Sequence, residues 1–342
     1  MMWPERMSGF AIALCRILCG ALVIGLASLT HPAASIFASA RADEISVTQW
    51  GASLYGVPFA VAMKDGLFTK AGIEITGIIG SGGGGTTVRN ILASPTPYGE
   101  VATAAALAAA QQGLDLVVVN TGTRSVAESS LVTLPDSDVR SLSDLVGRKV
   151  AITSPRSVSE MILLMEMQHD QVDAGKVTRV AAGGYTQGLT MLDQGAVAAA
   201  VLIEPLSILR QDRYRTVVAA KDELAPMTTS LGITTHSFAA AHPEKLRAIL
   251  AGRRAAVQAI YADPPRASAI LAEAFHMDLP LATTALNHMV AVHMWSEGGF
   301  DPTELDRVVA GLRLIGEIKG EPDWSKLIDA GFLPKDLRKT AP

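Results

Sequence analysis

Short Val/Ile-rich runs that end in glycine, serine or threonine, each passing directly into a stretch of helical spacing, recur along this chain and constrain its fold most. Residues 45–50, 73–79, 100–103 and 114–120 read as strands. Between them, 59–68, 86–93 and 104–112 carry apolar residues three and four apart, as a half-buried helix requires. Strand, helix and strand in strict succession predict a mainly parallel, doubly wound sheet. A second stretch repeats the logic, with strands at 130–134, 149–152, 177–181, 198–203 and 214–218 and helices at 158–168 and 187–194. A further strand is predicted at 228–235, and helices follow at 243–261, 265–275, 281–292 and 302–319. Pro243 and Pro302 stand where a helix tolerates proline, in its first turn. With 342 residues, 49% apolar and 18% charged, the chain has the material for two domains and excludes disorder as its overall state.

The N-terminus has a different character. Arg6 precedes an uncharged, mostly apolar run over 17–29, and Ala38-Ser39-Ala40 and Ala40-Arg41-Ala42 both fit an A-x-A cleavage pattern. This predicts a secretory signal over 1–42, cleaved at Ala40 or Ala42. The alternative, a membrane anchor, is opposed by Arg16 and by a run shorter than the ~20 residues that span a bilayer. Both cysteines, Cys15 and Cys19, leave with the signal. A mature chain without thiols has no disulfide, no cysteine nucleophile and no zinc–cysteine site. The formal net charge is −4, which argues against a nucleic-acid partner.

Motifs for catalysis are missing. There is no G-x-x-x-x-G-K-[ST], no H-E-x-x-H and no G-x-S-x-G. Gly80, Gly82 and Gly85 fit G-x-G-x-x-G, but they follow the second predicted strand, and no acid stands at the strand end about 20 residues on. A backbone cradle for a small polar group explains them better. Four strand-to-helix loops, 50–58, 80–87, 103–105 and 154–159, would present unpaired amides at helix N-termini to a polar or anionic ligand. Trp50 and Tyr55 on the first loop either stack on a ligand or cap the core. Arg156, Arg89 and Arg124 each either pair with an anion or stand as ordinary surface arginines. Glu204 closes an apolar strand and either faces a cation or N–H donor, or serves as a hinge residue.

A run of matches in fixed order goes further. Val57-Pro58-Phe59-Ala60-Val61-Ala62-Met63-Lys64-Asp65-Gly66-Leu67-Phe68 leads to Ala71-Gly72-Ile73-Glu74-Ile75 and then to Gly99-Glu100-Val101. Ser141-Leu142-Ser143-Asp144-Leu145-Val146-Gly147-Arg148-Lys149-Val150-Ala151, Leu192-Asp193-Gln194-Gly195-Ala196-Val197, Glu204-Pro205 and His242-Pro243-Glu244-Lys245-Leu246-Arg247 complete it. The set resembles solute-binding proteins of ABC importers, of the nitrate/sulfonate/taurine type, whose relatives include the thiamine-pyrimidine synthases. The resemblance implies an α/β, two-lobed periplasmic binding fold of type II, each lobe a mainly parallel sheet flanked by helices. Lobe 1 would comprise 43–127 and 226–342, and lobe 2 residues 128–225, with crossing segments near 125–131 and 224–231. Ligand contacts would come from Trp50, Tyr55, Ser81, Gly82 and Thr103 in lobe 1 and from Ser157, Ser159 and Glu204 in lobe 2. The implied protein is a periplasmic monomer that hands a small polar or anionic solute to a permease and ATPase, without cofactor, metal or catalysis. The alternatives are a receptor for a thiamine-precursor pyrimidine or other heterocycle, a sensor serving a signalling partner, and an exported enzyme on the same fold; the cysteine-rich motif of the thiamine-pyrimidine synthase is absent.

Overall fold

Five strands on either side of a joint organise the chain, and the computed structural model describes residues 43–339. The predicted signal lies outside the described residues. Along the first part come β1 (Asp43–Thr48), α1 (Val57–Lys64), α2 (Leu67–Ala71), β2 (Ile75–Ser81), α3 (Gly84–Ala93), β3 (Tyr98–Ala102), α4 (Thr103–Gln111) and β4 (Val117–Thr121). The second part holds β5 (Ser129–Thr133), β6 (Lys149–Ile152), α5 (Val158–His169), β7 (Thr178–Ala181), α6 (Tyr185–Asp193), β8 (Ala199–Ile203), α7 (Leu206–Leu209), β9 (Arg215–Ala219) and α8 (Ala220–Glu223). The chain then returns through β10 (Ser230–Thr234) and ends in α9 (His236–Ala241), α10 (Pro243–Ala262), α11 (Pro264–Ala274), α12 (Leu279–Ala291), α13 (Pro302–Leu314) and α14 (Trp324–Leu327).

The first sheet has the order β2-β1-β3-β10-β4 and the second β7-β6-β8-β5-β9. Each is mixed in the same way: β10 runs antiparallel to both its neighbours, and so does β5. The remaining strands follow the parallel direction expected of βαβ units. The two reversed strands are the first that the chain forms after each passage from one sheet to the other. They enter from the joint, which fixes their direction. No hydrophobic pattern encodes that, because a buried strand is apolar whichever way it runs. The passages are residues 122–128 and 224–229. The first lies three residues earlier than the segment expected near 125–131, and the second ends two residues sooner than 231, since Ser129 already belongs to β5 and Ser230 to β10. The two segments lie side by side: Thr229 N–H donates to the Thr123 carbonyl at 3.0 Å, Met227 N–H to that of Arg124 at 3.2 Å, and the Thr123 and Thr229 hydroxyls meet at 2.8 Å.

Local chemistry marks the element ends. Asp144 Oδ2 accepts the N–H groups of Arg140 and Ser141 at 2.8 and 2.9 Å, closing the predicted capped turn. Asp263 and Asp301 cap α11 and α13, each followed by proline. Separate cores fill the two parts, one around Ile45, Phe59, Tyr98 and Ile249, another around Leu131, Val150, Leu163 and Val201. A third cluster sits at the joint. It brings Val308, Val309 and Leu312 of α13 against Met161 and Ile162 of α5, together with Val126 and Met227 of the two passages. Helix 13 therefore does not belong to the first part alone. No helix among the described residues is long and apolar enough to cross a membrane.

Candidate functional site

The parallel strands of both sheets point their carboxyl ends at a common cavity of about 810 Å³. From the first sheet it is lined by Gln49 after β1, Gly82 after β2 and Ala102 at the end of β3. From the second it is lined by Thr153 after β6, Gly183 after β7 and Ile203 at the end of β8. This is the crevice that open α/β sheets offer to ligands. Its volume falls within the ~300–1,000 Å³ of small-molecule sites.

Helix N-termini open onto it from both sides. Helices 3 and 6 begin without a side-chain cap, at Gly83 and Gly184, and both glycines line the cavity. Their first-turn amides are available, with the positive end of the helix dipole behind them. At α5 the Ser157 hydroxyl accepts from Glu160 N–H at 3.3 Å and meets the Ser159 hydroxyl at 2.8 Å. Ser159 in turn accepts the Thr153 N–H at 2.9 Å, tying the end of β6 to the helix. Arg156 holds the left-handed conformation, φ 61°, with its N–H on the Glu160 carboxylate at 2.6 Å. That strained turn places an exposed guanidinium on the cavity wall.

The glycine run after β2 has two roles. A Cβ on Gly84 would lie 2.4 Å from that of Ala105, so this glycine lets α3 rest on α4. Gly82 and Gly83 have nothing within 4 Å of such a Cβ, and they keep the cavity open.

Of the residues expected at the site, Tyr55, Gly82, Arg156, Ser157 and Ser159 line the cavity together. Four others are engaged elsewhere. Trp50 stacks edge-on against Phe275, with centroids 5.1 Å apart, and packs against the core. The Ser81 hydroxyl is occupied by Thr87 at 2.5 Å and the Gly83 carbonyl at 3.2 Å. The buried Thr103 hydroxyl donates to the Thr228 carbonyl at 2.7 Å, so it fastens α4 to a crossing segment. Glu204 turns to α12, where Oε1 meets His288 Nδ1 at 3.0 Å. Burial raises the Glu204 pKa and His288 opposes that rise. Glu204 therefore faces an imidazole nitrogen of α12 and does not line the cavity.

Sequence reasoning overlooked the groups at the cavity's joint side. Glu128 lies inside a predicted crossing segment, and Tyr185 follows Gly183-Gly184, a loop of the same type as the four singled out. Glu128 and Ser129 line the cavity and are 8% and 1% exposed. Burial, with the nearby Glu204 charge, pushes the Glu128 carboxyl up to about 8. Burial and Glu128 also raise the phenols of Tyr55 and Tyr185. An acid that shares a cavity with two tyrosines has no short-range sequence signature, because the three stand on different elements.

The fold is shared with solved structures of low sequence identity. The periplasmic aliphatic sulphonate binding protein SsuA from Escherichia coli superposes with a TM-score of 0.69 at 17% identity, over 84% of this chain and 91% of that one. The alkanesulfonate-binding protein SsuA from Xanthomonas axonopodis pv. citri, bound to MOPS, gives 0.63 at 14%, over 80% and 93%. The periplasmic nitrate-binding protein NrtA from Synechocystis PCC 6803 gives 0.57 at 13%, over 70% and 68%. No curated protein sequence matches the chain. The NMT1/THI5 like family model matches residues 54–267, a span that holds the first four helices, most of both sheets and the whole wall of helix N-termini, and this chain belongs to that family.

Proposed function

We propose that this chain is the solute receptor of an ABC-type importer. It captures a small polar or anionic solute, of sulfonate, taurine or nitrate type, between a lobe of residues 43–127 and 226–342 and a lobe of residues 128–225. It closes on the solute by bending at the paired crossing segments, then delivers it to a permease and ATPase. It acts as a secreted periplasmic monomer and breaks no bond. The observation that carries this reading is the cavity, onto which uncapped or lightly capped helix N-termini open from both sheets. Fixed amides bind oxyanions without reacting, and binding from two sides rewards closure. The structural likeness to sulphonate-, alkanesulfonate- and nitrate-binding proteins supports it.

Native mass spectrometry of the purified protein, followed by calorimetry with ethanesulfonate, taurine and nitrate, tests the proposal. A retained or titrated solute released unchanged, with X-ray scattering that contracts on its addition, is the expected result. Turnover of the solute, or no binding by any of them and no retained molecule, overturns it.

A further inference from the structure

Resting on the receptor reading, we propose that the solute also carries a protonated amine or an amidine-like N–H edge, and that Glu128 is the group that recognises it. Glu128 stands where the first crossing segment enters β5, at the joint side of the cavity. More than nine-tenths of the residue is buried, and Oε2 has no hydrogen-bond partner. The next residue repeats the pattern: the Ser129 hydroxyl lines the same cavity, buried and unpartnered. Buried polar groups in folded proteins almost always find partners. Two adjacent exceptions on one cavity wall mark positions that a ligand satisfies.

The surroundings decide what kind of ligand group fits. The one charge acting on Glu128 is that of Glu204, which stands beyond the wall and is itself an acid. Among the described residues no arginine, lysine or histidine pairs with Glu128; the cavity's two arginines stand on α3 (Arg89) and at the α5 turn (Arg156). Tyr55 from the first sheet's side and Tyr185 from the second are both near enough for Glu128 to act on their hydroxyls, and Glu100 acts on Tyr55 as well. A buried carboxyl that shares a cavity wall with two tyrosines is an environment that attracts a cation or an N–H donor and repels a second anion. A site for a purely anionic solute has no use for an acid on its wall. The cavity is thus bipolar, with Arg89, Arg156 and the open helix N-termini serving an oxyanion and Glu128, Ser129 and the tyrosines serving nitrogen, while the cavity's other acid, Glu317, is only half-buried.

The closing experiment is calorimetry on matched probes, taurine against ethanesulfonate and β-alanine against propionate, with fragmentation of any solute retained in native mass spectrometry. Glu128→Gln is compared with Glu166→Gln, which removes another buried carboxyl away from the cavity. The inference expects the amine-bearing probe or a nitrogen-bearing retained solute to bind. It expects Glu128→Gln to weaken that binding at least tenfold and Glu166→Gln to leave it unchanged. Because a cation displaces the proton held by the buried carboxyl, wild-type titrations in buffers of different ionisation enthalpy should show up to one proton released near pH 6.5 and little at pH 9. This reading needs no variant to fold. If amine-bearing and amine-free probes bind alike, without proton release and without loss in Glu128→Gln, the receptor stands and this inference falls. If no probe binds and no solute is retained, the receptor reading falls and takes this one with it.

Discussion

At the scale of single residues, buried charge dominates this molecule. Arg253 and Glu100 are 1% and 0% exposed and meet at 2.8 Å. The guanidinium also donates to the Ser296 and Gly122 carbonyls at 2.7 and 2.8 Å, and Ser230 Oγ donates to the other Glu100 oxygen at 2.7 Å. Gly122 and Ser230 stand where the chain leaves and re-enters the first sheet, so this network anchors both passages. A Cβ on Gly122 would lie 2.0 Å from Glu100, which leaves room for glycine alone. Arg253→Ala strands an uncompensated carboxylate and should cost about 3–5 kcal/mol, read as a lower urea midpoint at unchanged slope. Unpaired acids give the opposite pH behaviour. Glu128 and Glu166 are both raised to about 8, chiefly by burial. Above the usual ~4.5 the unfolded chain has lost these protons while the folded one keeps them, so stability falls as pH rises toward 8. Thermal midpoints should therefore drop between pH 5 and 8, and the Glu128→Gln/Glu166→Gln double variant should flatten that drop; an equal drop in the double variant refutes the assignment. Little of this was legible in the sequence. Glu100 belongs to a recognisable Gly-Glu-Val run, but Arg253 lies 153 positions on, and pairing at that distance leaves no local pattern.

Elements were far more legible, because their signals are local. Alternating apolar patterns located strand after strand, proline located the starts of α10 and α13, and the expected start of α11 falls one residue from the observed one. Boundaries failed where a loop residue took a helical turn: Thr103, expected at a strand end, opens α4, and Gly84 and Gly85, expected in a loop, open α3. The mainly parallel sheets were legible, but the reversal of β5 and β10 was not, since it follows from the path of the chain and not from side-chain pattern. The glycine run separates packing from function. Gly84→Ala must push α3 from α4, an overpacking of about 1–3 kcal/mol, visible as a lowered thermal midpoint. Gly82→Ala meets no atom within 4 Å, so the fold should keep its midpoint while the added methyl weakens solute binding from the cavity side. Equal loss of stability in both variants would show that the run serves packing throughout.

The molecule as a whole is two sheets joined by two short passages, and α13 lies across that joint. Besides its apolar contacts with α5 and both passages, its first turn holds them by polar bonds. Glu304 accepts from Arg124 Nε at 3.0 Å, its carbonyl takes the Thr228 N–H at 3.2 Å, and Arg307 donates to the Pro226 carbonyl at 2.8 Å. A passage of six or seven residues resists bending little by itself. The helix that grips both of them, and touches a helix of the second sheet, is predicted to set the resting angle between the parts. The sequence predicts a helix at 302–319, yet nothing in it says that the helix packs against two partners at once. Leu312→Ala removes a buried side chain from the middle of that stripe and should cost about 2–4 kcal/mol. Beyond that loss, the hold on the second part weakens, so ligand-free scattering should report a broader and more extended particle. Solute binding then has to work against a wider set of angles, and affinity should fall although Leu312 does not line the cavity. Leu145→Ala empties a comparable volume in the second core, away from the joint, and serves as the reference. If it extends the particle and weakens binding as much as Leu312→Ala at equal stability, α13 is ordinary packing and the angle is set by the passages themselves.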